Sequence, residues 1–187
     1  MVPEAQIIKG MYLCKPGAEA AGKGGAPRVQ LLGSGTILRE VIAAAELLER
    51  DFGIASDIWS CPSFTELRRD AMAAERWNLL HPLEGKRLSH VETCLTGRTG
   101  PVIAATDYVR ALPSMVAPYL EARLVPLGTD GFGRSDTRAE LRRFFEVDRG
   151  HVVLAALTAL RQQGRVAAQD CSRAIGQFGL QADSGVP

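Results

Sequence analysis

Short apolar segments alternate with longer amphipathic segments along most of this 187-residue chain. The segments typical of β-strands are residues 7–14, 28–33, 55–61, 101–106 and 123–128. Helical segments are expected at residues 36–50, from about residues 63, 108 and 137, and at residues 151–163 and 167–178. Strands that alternate with helices are joined by right-handed crossovers, so this pattern predicts a layered α/β domain with a mostly parallel sheet.

Polar residues and proline mark where several of the predicted helices begin or bend. Ser63 and Glu66 have the spacing of a capping box, and so do Thr137 and Glu140. Each pair therefore predicts a helix that begins directly after its serine or threonine. The helix expected after the fourth strand contains Pro113, which predicts that it is kinked or split.

The composition is that of an ordinary folded domain. Hydrophobic residues make up 46% of the chain and the formal net charge is +1, which gives no argument for binding nucleic acid or an anionic membrane. No apolar run approaches the roughly 20 residues of a membrane span. Because the amino terminus also lacks the features of a signal peptide, we expect a cytoplasmic protein. The four cysteines and three histidines show no metal-ligand or catalytic spacing, and we expect them to be structural.

The length fits one domain, with few internal boundaries. Residues 1–15 are predicted to contain an edge strand at the amino terminus. Residues 16–27 are rich in glycine and alanine and are predicted to form a flexible loop, because they offer little to bury. Residues 28–180 are expected to form the α/β core, and residues 181–187 a loose tail.

The most distinctive local segment is the glycine-rich run at residues 128–136, which leads from the last strand into a helix. Its glycines suit a turn with positive φ angles. In α/β proteins, ligands and partners usually bind where strands end, so we expect this loop to line an interface or a channel. The candidate residues are Asp130, Phe132, Arg134, Ser135, Asp136, Arg138 and Arg142.

Three of these candidates are arginines with helical spacing. Arg134, Arg138 and Arg142 recur every four residues and are expected to share one helix face, with Arg143 beside them. Such a face could bind an acidic partner. It could equally be a solvated face that pairs with neighbouring carboxylates, and the commonness of charged stripes on exposed helices favours this interpretation.

A second glycine-containing turn, Gly33-Ser-Gly35, lies between a strand and a helix. Free amides at a helix start can bind phosphate, which suggests a nucleotide site. A dinucleotide-binding fingerprint needs a third glycine three positions later, however, and Leu38 stands there. We therefore expect glycines that allow a tight turn and close packing of strand against helix.

Several blocks of the sequence resemble one protein family. They are Ile7-Ile-Lys-Gly-Met-Tyr12, Val29-Gln-Leu-Leu-Gly-Ser-Gly-Thr-Ile-Leu-Arg39, Ser63-Phe-Thr-Glu-Leu-Arg-Arg-Asp70, Glu75-Arg-Trp-Asn-Leu-Leu-His-Pro82, Ala105-Thr-Asp-Tyr108 and the loop at residues 128–136 with the helix that follows. In this order they are similar to the last domain of the decarboxylating component of bacterial pyruvate dehydrogenase, in its large homodimeric form. The resemblance implies a three-layer α/β/α domain like the transketolase C-terminal domain, with a five-stranded mixed sheet whose first strand is antiparallel.

The same resemblance implies a role for the chain. The parent enzyme decarboxylates pyruvate on thiamine diphosphate with magnesium and then acetylates lipoyl groups. The family holds both cofactors and its catalytic residues in two preceding domains, so no catalytic, cofactor or metal residue is assigned here. The implied partners are the remaining domains, the second subunit of the homodimer and the dihydrolipoamide acetyltransferase core. The implied role of this domain is structural and stabilises the dimer.

Two alternatives from other functional classes remain open at this point. The chain could be a stand-alone module that binds phosphate or a nucleotide at residues 33–36. It could also be one subunit of a split thiamine-dependent enzyme, completed by a separately encoded chain.

Overall fold

The computed structural model describes residues 4–18 and 26–181, and within them five strands form a single sheet. The strands are β1 (Tyr12–Lys15), β2 (Arg28–Gly33), β3 (Ala55–Ser60), β4 (Val102–Ala105) and β5 (Leu124–Leu127). The helices are α1 (Glu4–Ile8), α2 (Leu38–Phe52), α3 (Phe64–Leu80), α4 (His90–Leu95), α5 (Ala111–Ser114), α6 (Arg138–Phe144), α7 (Arg149–Gln162) and α8 (Ala168–Phe178). Two short 3₁₀ turns, Gly35–Ile37 and Ala117–Tyr119, precede α2 and follow α5.

The sheet order is β1-β3-β2-β4-β5, with β1 antiparallel and the other four strands parallel. From β2 the chain first adds β3 on one side and then returns to add β4 on the other. The strand order therefore reverses between β2 and β4, and such a switch point leaves a crevice beyond the carboxyl ends of the two strands. The predicted fold class and the antiparallel first strand are both confirmed.

Helical layers cover both faces of the sheet. Side chains from α2, α7 and α8 form one hydrophobic core with alternate residues of the strands, such as Val29 and Leu31. Residues of α3, α4 and the segment after α5 form the second core against the opposite face, where Leu32 and Trp59 point. Because successive side chains of a strand point to opposite faces, buried parallel strands must be apolar on both sides.

One exception to this apolar rule is a buried polar cluster on the face toward α3. Asp57 of β3 is 1% exposed, and its carboxylate accepts hydrogen bonds from the Gly17 amide at 2.8 Å and from Arg28 at 2.7 Å. The Gln30 amide group donates to Asp57 at 2.9 Å and accepts from the Trp59 indole at 2.9 Å. Every buried polar group in this cluster thus has a partner, as a low-dielectric interior requires.

The predicted elements differ from the structure at a few points. The strand expected at residues 7–14 begins only at Tyr12, since Glu4–Ile8 form α1. The helix expected from about residue 108 begins only at Ala111, and its predicted split is confirmed, since α5 and a 3₁₀ turn lie on either side of residues 115–116. The sequence interpretation also missed α4. The prediction of a flexible loop at residues 16–27 lies mostly outside the described residues, as does that of a loose tail at residues 181–187.

The predicted helix starts at residues 63 and 137 are confirmed. The Ser63 and Thr137 side chains accept hydrogen bonds from the amides three residues later, at 3.1 and 3.3 Å. Within the described ranges, no helix is long and apolar enough to cross a membrane.

Candidate functional site at the strand ends

Three loops that follow parallel strands meet at the switch point of the sheet. They are residues 34–37 after β2, residues 106–110 after β4 and residues 128–137 after β5. Together with α6 they enclose a groove of about 350 Å³. The groove is lined by Thr36, Ile37, Asp107, Thr129, Gly131, Phe132, Gly133, Arg134, Arg138, Leu141, Arg142, Phe145 and Val147. We call this feature the strand-end groove.

The loops after β4 and β5 are joined by direct hydrogen bonds. The Thr129 amide donates to the Tyr108 carbonyl, and the Thr129 hydroxyl donates to the Asp107 carbonyl, both at 2.8 Å. Gly128 makes this approach feasible, because a Cβ atom there would lie 2.5 Å from the Tyr108 carbonyl oxygen. The groove wall is therefore fixed by backbone contacts, which favours a preformed binding surface.

Asp130 lies next to the strand-end groove but is not part of its lining. Its carboxylate accepts a hydrogen bond from the Arg110 amide at 2.9 Å and lies 3.6 Å from the Arg110 side-chain nitrogen. The carboxylate thus holds the two loops together. Both of these contacts are with Arg110, which indicates a structural role for the carboxylate.

Phe132 is the most exposed candidate residue. It follows Gly131, which has a φ angle of 82° and so allows the tight turn that the sequence predicted. Its ring is 96% exposed, although the ring belongs to one of the residue types that most often anchor interfaces. The neighbouring loop adds two further exposed apolar side chains, Tyr108 and Val109. The strand ends therefore present an apolar, aromatic surface.

The three candidate arginines do not share one helix face. Arg134 lies before α6, and its guanidinium stacks over the Phe144 ring at 4.0 Å. Arg138 begins α6 and is exposed, and its side chain forms no hydrogen bond or ion pair within the described part of the chain. The prediction that all three arginines share one helix face is therefore wrong for Arg134, because residues 133–136 separate it from α6.

Arg142 differs from Arg138 because it is paired with a buried carboxylate. Glu40 of α2 is 5% exposed, and its carboxylate oxygens lie 2.8 Å from Arg142 and 2.9 Å from Arg149. Burial alone would raise the pKa of Glu40, but the hydrogen bonds and charges of Arg149 and Arg142 outweigh burial and lower this pKa. Arg142 therefore joins α6 to α2, beside the groove.

Ser135 and Asp136 complete the loop without lining the strand-end groove. Both are exposed, and the Asp136 carboxylate accepts a hydrogen bond from the Thr137 amide at 2.7 Å. A carboxylate at this place is favourable near the positive end of α6. The groove thus brings together Phe132, Arg134, Arg138 and Arg142 of the seven predicted residues, and leaves Asp130, Ser135 and Asp136 outside its lining.

Sequence interpretation missed Asp107 and Glu40, and it considered Thr36 only within the phosphate-binding alternative at residues 33–36. Thr36 and Asp107 lie 71 positions apart, and their side chains meet at 3.4 Å only because β2 and β4 are neighbours. The burial of Glu40 could have been predicted from the sequence, since this residue lies between Ile37 and Val41 on the apolar side of its helix. A charged residue in such a stripe requires a cationic partner.

The turn at residues 33–35 serves packing, as predicted. A Cβ atom at Gly33 would lie 2.8 Å from the Leu38 Cα atom, so a side chain would push strand and helix apart. Gly35 has a φ angle of 54° and faces the Asp107 carboxylate. This carboxylate places a negative charge where a bound phosphate would lie.

The strand-end groove suits binding better than catalysis. Its lining includes no histidine, cysteine, serine or lysine, and its one carboxylate, Asp107, is hydrogen-bonded to the Thr36 hydroxyl. Within residues 4–18 and 26–181, no three histidine, cysteine or acidic side chains cluster as a metal site would require.

The fold and the groove together define a class of protein. A five-stranded mixed sheet with an antiparallel first strand and helices on both faces is the architecture of a transketolase C-terminal-like domain. The sequence profile of the family described as "Transketolase-like TK C-terminal domain" matches residues 10–148, and the chain belongs to this family.

Solved structures agree with this fold. A chain titled "Split gene transketolase, inactive beta4 tetramer" superposes with a TM-score of 0.53 at 17% identity, over 82% of this chain and 43% of that one. A transketolase from Pichia stipitis superposes with a TM-score of 0.52 at 16% identity, over 88% of this chain and 21% of that one. At such low identities the likeness is one of fold.

Curated relatives are much more similar in sequence. The pyruvate dehydrogenase E1 component of Cupriavidus necator is 56% identical over 177 residues, which cover 95% of this chain and 19% of that protein. The E1 component of Pseudomonas aeruginosa is 53% identical over 98% of this chain and 20% of its own length. The E1 component of Escherichia coli K12 is 45% identical over 96% of this chain and 20% of its own length. The chain thus spans about a fifth of the length of these relatives, and the resemblance seen in the sequence is confirmed.

Proposed function

We propose that this chain is the C-terminal domain of a pyruvate dehydrogenase E1 component. The observation that carries the proposal is the 56% identity with such a component over nearly the whole chain. The complete polypeptide would oxidatively decarboxylate pyruvate with thiamine diphosphate and magnesium, and acetylate lipoyl groups, in the cytoplasm. It would act as a homodimer beside the dihydrolipoamide acetyltransferase core.

In this proposal the domain itself is not catalytic, and it stabilises the assembly. The strand-end groove supports this role, because it offers exposed aromatic and basic side chains to a partner. Phe132 and Arg138 are the side chains that are best placed for a partner. Phe132 is almost fully exposed, and Arg138 has no partner within the described residues. We propose that this surface contacts the second subunit or the acetyltransferase core.

The two alternatives gain less support. The Asp107 carboxylate, 3.4 Å from the Thr36 hydroxyl, opposes binding of a phosphate group at residues 33–36. The split-enzyme alternative has one specific observation in its favour, since one fold relative is titled as a split-gene transketolase. The size of the native polypeptide that carries this sequence, measured on a denaturing gel, distinguishes the two arrangements. A polypeptide about five times as long as this chain supports the proposal, and one of 20.1 kDa favours a split enzyme.

The first prediction concerns activity. We expect the polypeptide expressed from the complete native gene to release CO₂ from pyruvate when thiamine diphosphate and magnesium are supplied. We expect the 187-residue chain alone to release none, because it spans only about a fifth of the length of the E1 components that it matches. Both proteins should be assayed at equal molar concentration, with a reaction without thiamine diphosphate as the control. Turnover by the 187-residue chain would contradict the proposal.

A further inference from the structure

Helix α6, which lines the strand-end groove, is only weakly embedded in the domain. It buries none of its seven residues completely, whereas α2, α3, α4, α7 and α8 each bury at least one. Every residue from 131 to 140 is exposed. A scarcity of buried side chains is a physical sign of an element that opens locally while the rest of a protein stays folded. We call residues 131–144 the α6 flap.

The chain is held firmly on both sides of the α6 flap. Before the flap, Thr129 is hydrogen-bonded to the loop after β4 through its amide and its hydroxyl, both at 2.8 Å. After the flap, Phe145 and Val147 are 8% and 2% exposed and belong to the core that α2, α7 and α8 form with the sheet. The flap is therefore a short segment between two fixed ends.

Residues suited to be hinges lie at both ends of the α6 flap. A Cβ atom at Gly131 or Gly133 would meet no other atom within 4 Å, so packing does not hold this stretch of backbone in place. At the other end, Glu146 has a φ angle of 56°, which is strained for a residue with a Cβ atom. Hinges are a few loop or element-terminal residues that absorb the changes in φ and ψ when an element moves.

A buried ion pair ties the α6 flap to α2. The Arg142 guanidinium lies 2.8 Å from the carboxylate of Glu40, which is 5% exposed. The same carboxylate lies 2.9 Å from Arg149 at the start of α7. A buried carboxylate without any cation is strongly destabilising, but Glu40 keeps Arg149 when Arg142 moves away. The contact between Arg142 and Glu40 can therefore break at moderate cost, as the latch of a movable element must.

The α6 flap supplies one side of the strand-end groove. Arg134, Arg138, Leu141 and Arg142 line the groove from the flap, whereas the loops after β2 and β4 line it from the sheet. Leu141 packs against the core cluster that contains Ile37, another residue of the lining, which is 2% exposed. Displacement of the flap therefore widens the groove and uncovers an apolar surface in it.

We infer that the α6 flap opens and closes the strand-end groove, with the ion pair between Arg142 and Glu40 as its latch. The structure holds the closed state. A partner that contacts the flap and the fixed loops together stabilises the closed state, and by linkage the closed latch favours that partner. The inference concerns the motion of residues 131–144 and holds whatever fills the groove, so it does not depend on the proposed function.

The test is hydrogen exchange, followed by mass spectrometry, in the polypeptide expressed from the complete native gene. Arg142→Gln removes the latch but leaves Glu40 paired with Arg149. Arg138→Gln is the matched control, because Arg138 lies on the same helix and its side chain forms no hydrogen bond or ion pair within the described ranges. We expect the amides of α6 to exchange about five to ten times faster in Arg142→Gln than in the control, while those of α2 and α7 keep their rates.

Limited proteolysis gives an independent readout. A glutamyl endopeptidase cleaves after Glu140, an exposed residue of α6, only when the helix around it unwinds. Cleavage of a transiently open segment follows the population of the open form when opening and closing are fast. We expect faster cleavage after Glu140 in Arg142→Gln than in Arg138→Gln. Synthetic peptides of residues 134–146 with each substitution correct for the sequence preference of the protease.

Three results overturn the inference. If the amides of α6 exchange as slowly as those of α7 in the unaltered protein, the flap does not open on its own. If Arg142→Gln and Arg138→Gln give equal rates, the ion pair is not a latch. If α2, α6 and α7 are accelerated equally, the substitution lowers global stability and not the stability of the flap. Pyruvate decarboxylation by the same preparation reports on the proposed function separately, so the failure of one proposal is distinguishable from the failure of the other.

Discussion

At the scale of single residues, Glu146 is the one non-glycine residue with a positive φ angle within residues 4–18 and 26–181. Its φ of 56° lies in the left-handed region, where a Cβ atom is unfavourable. The residue follows the end of α6, and two hydrogen bonds close the helix around it. The Glu146 amide donates to the Arg143 carbonyl and the Val147 amide donates to the Arg142 carbonyl, at 3.2 and 2.9 Å. This is a Schellman motif, in which glycine is the usual residue.

We therefore predict that Glu146→Gly stabilises the chain by about 1 kcal/mol, because glycine removes the strain of the left-handed conformation. The greater flexibility of glycine in the unfolded chain offsets part of this gain. Glu146→Ala is the matched control, since it removes the carboxylate but keeps the Cβ atom, and it should bring no such gain. Urea unfolding of the three proteins measures the difference. A stabilisation of equal size in both variants would show that the charge, and not the backbone, is responsible.

At the scale of elements, α4 depends on its cap because the helix has six residues. The Ser89 amide donates to the Glu92 carboxylate at 2.8 Å, while the Glu92 amide donates to the Ser89 hydroxyl at 3.4 Å. Lys86 adds an ion pair with Glu92 at 3.0 Å. Helices this short have little intrinsic stability in water, so their ends and their packing decide whether they form.

Ser89→Ala should destabilise the chain by about 1 kcal/mol, with a range of roughly 0.5–2, because it removes the acceptor for the first turn of α4. Ser135→Ala is the control, since Ser135 is exposed and takes part in no hydrogen bond within the described part of the chain. Urea unfolding gives the two free energies, and hydrogen exchange of the α4 amides locates the effect. Unchanged exchange in α4 would argue against the role of the cap.

The elements also show what the sequence could predict and what it could not. Apolar periodicity and capping residues are local signals, and they predicted all the parallel strands and the helices α2, α3, α7 and α8 closely. The α4 helix was missed because its capping box precedes a stretch too short for helical periodicity to emerge. The loop candidates after β5 were found because glycine-rich turns are visible in sequence. Their partners Thr36 and Asp107 were not, because the sheet order that joins them is a property of the tertiary fold.

At the scale of the whole molecule, three carboxylates with lowered pKa values make stability depend on pH. Burial alone would raise the pKa of Glu40, Asp57 and Asp148, but hydrogen bonds and nearby cations outweigh burial and lower all three. A carboxylate whose pKa is lower in the folded state than in the unfolded state stabilises the fold above its unfolded pKa. This contribution is lost as the pH falls through the folded pKa.

We therefore expect the free energy of unfolding to fall as the pH is lowered from about 5 to about 3, since unfolded carboxyls have pKa values near 4. Glu40→Gln should cost about 1–3 kcal/mol at pH 7, because it removes the charge from hydrogen bonds with Arg142 and Arg149. The free-energy difference between Glu40→Gln and the unaltered chain should narrow as the pH falls through the lowered pKa of Glu40, because Glu40 itself then becomes protonated. Urea unfolding at several pH values measures both quantities. A difference that stays constant over this range would exclude Glu40 as a source of the acid sensitivity.

The buried Asp57–Gln30 pair also determines which alignment of two strands the chain can adopt. The two residues lie directly opposite each other in the parallel pairing of β2 with β3, and they hydrogen-bond at 2.9 Å. A slip by two residues would keep every side chain on its own face and cost the apolar positions little. It would, however, leave a buried carboxylate and a buried amide without each other, which is far more costly. Several registers of β2 and β3 would bury the same apolar residues, and the polar pair makes the native register the most stable of them. Shifted registers are therefore disfavoured during folding.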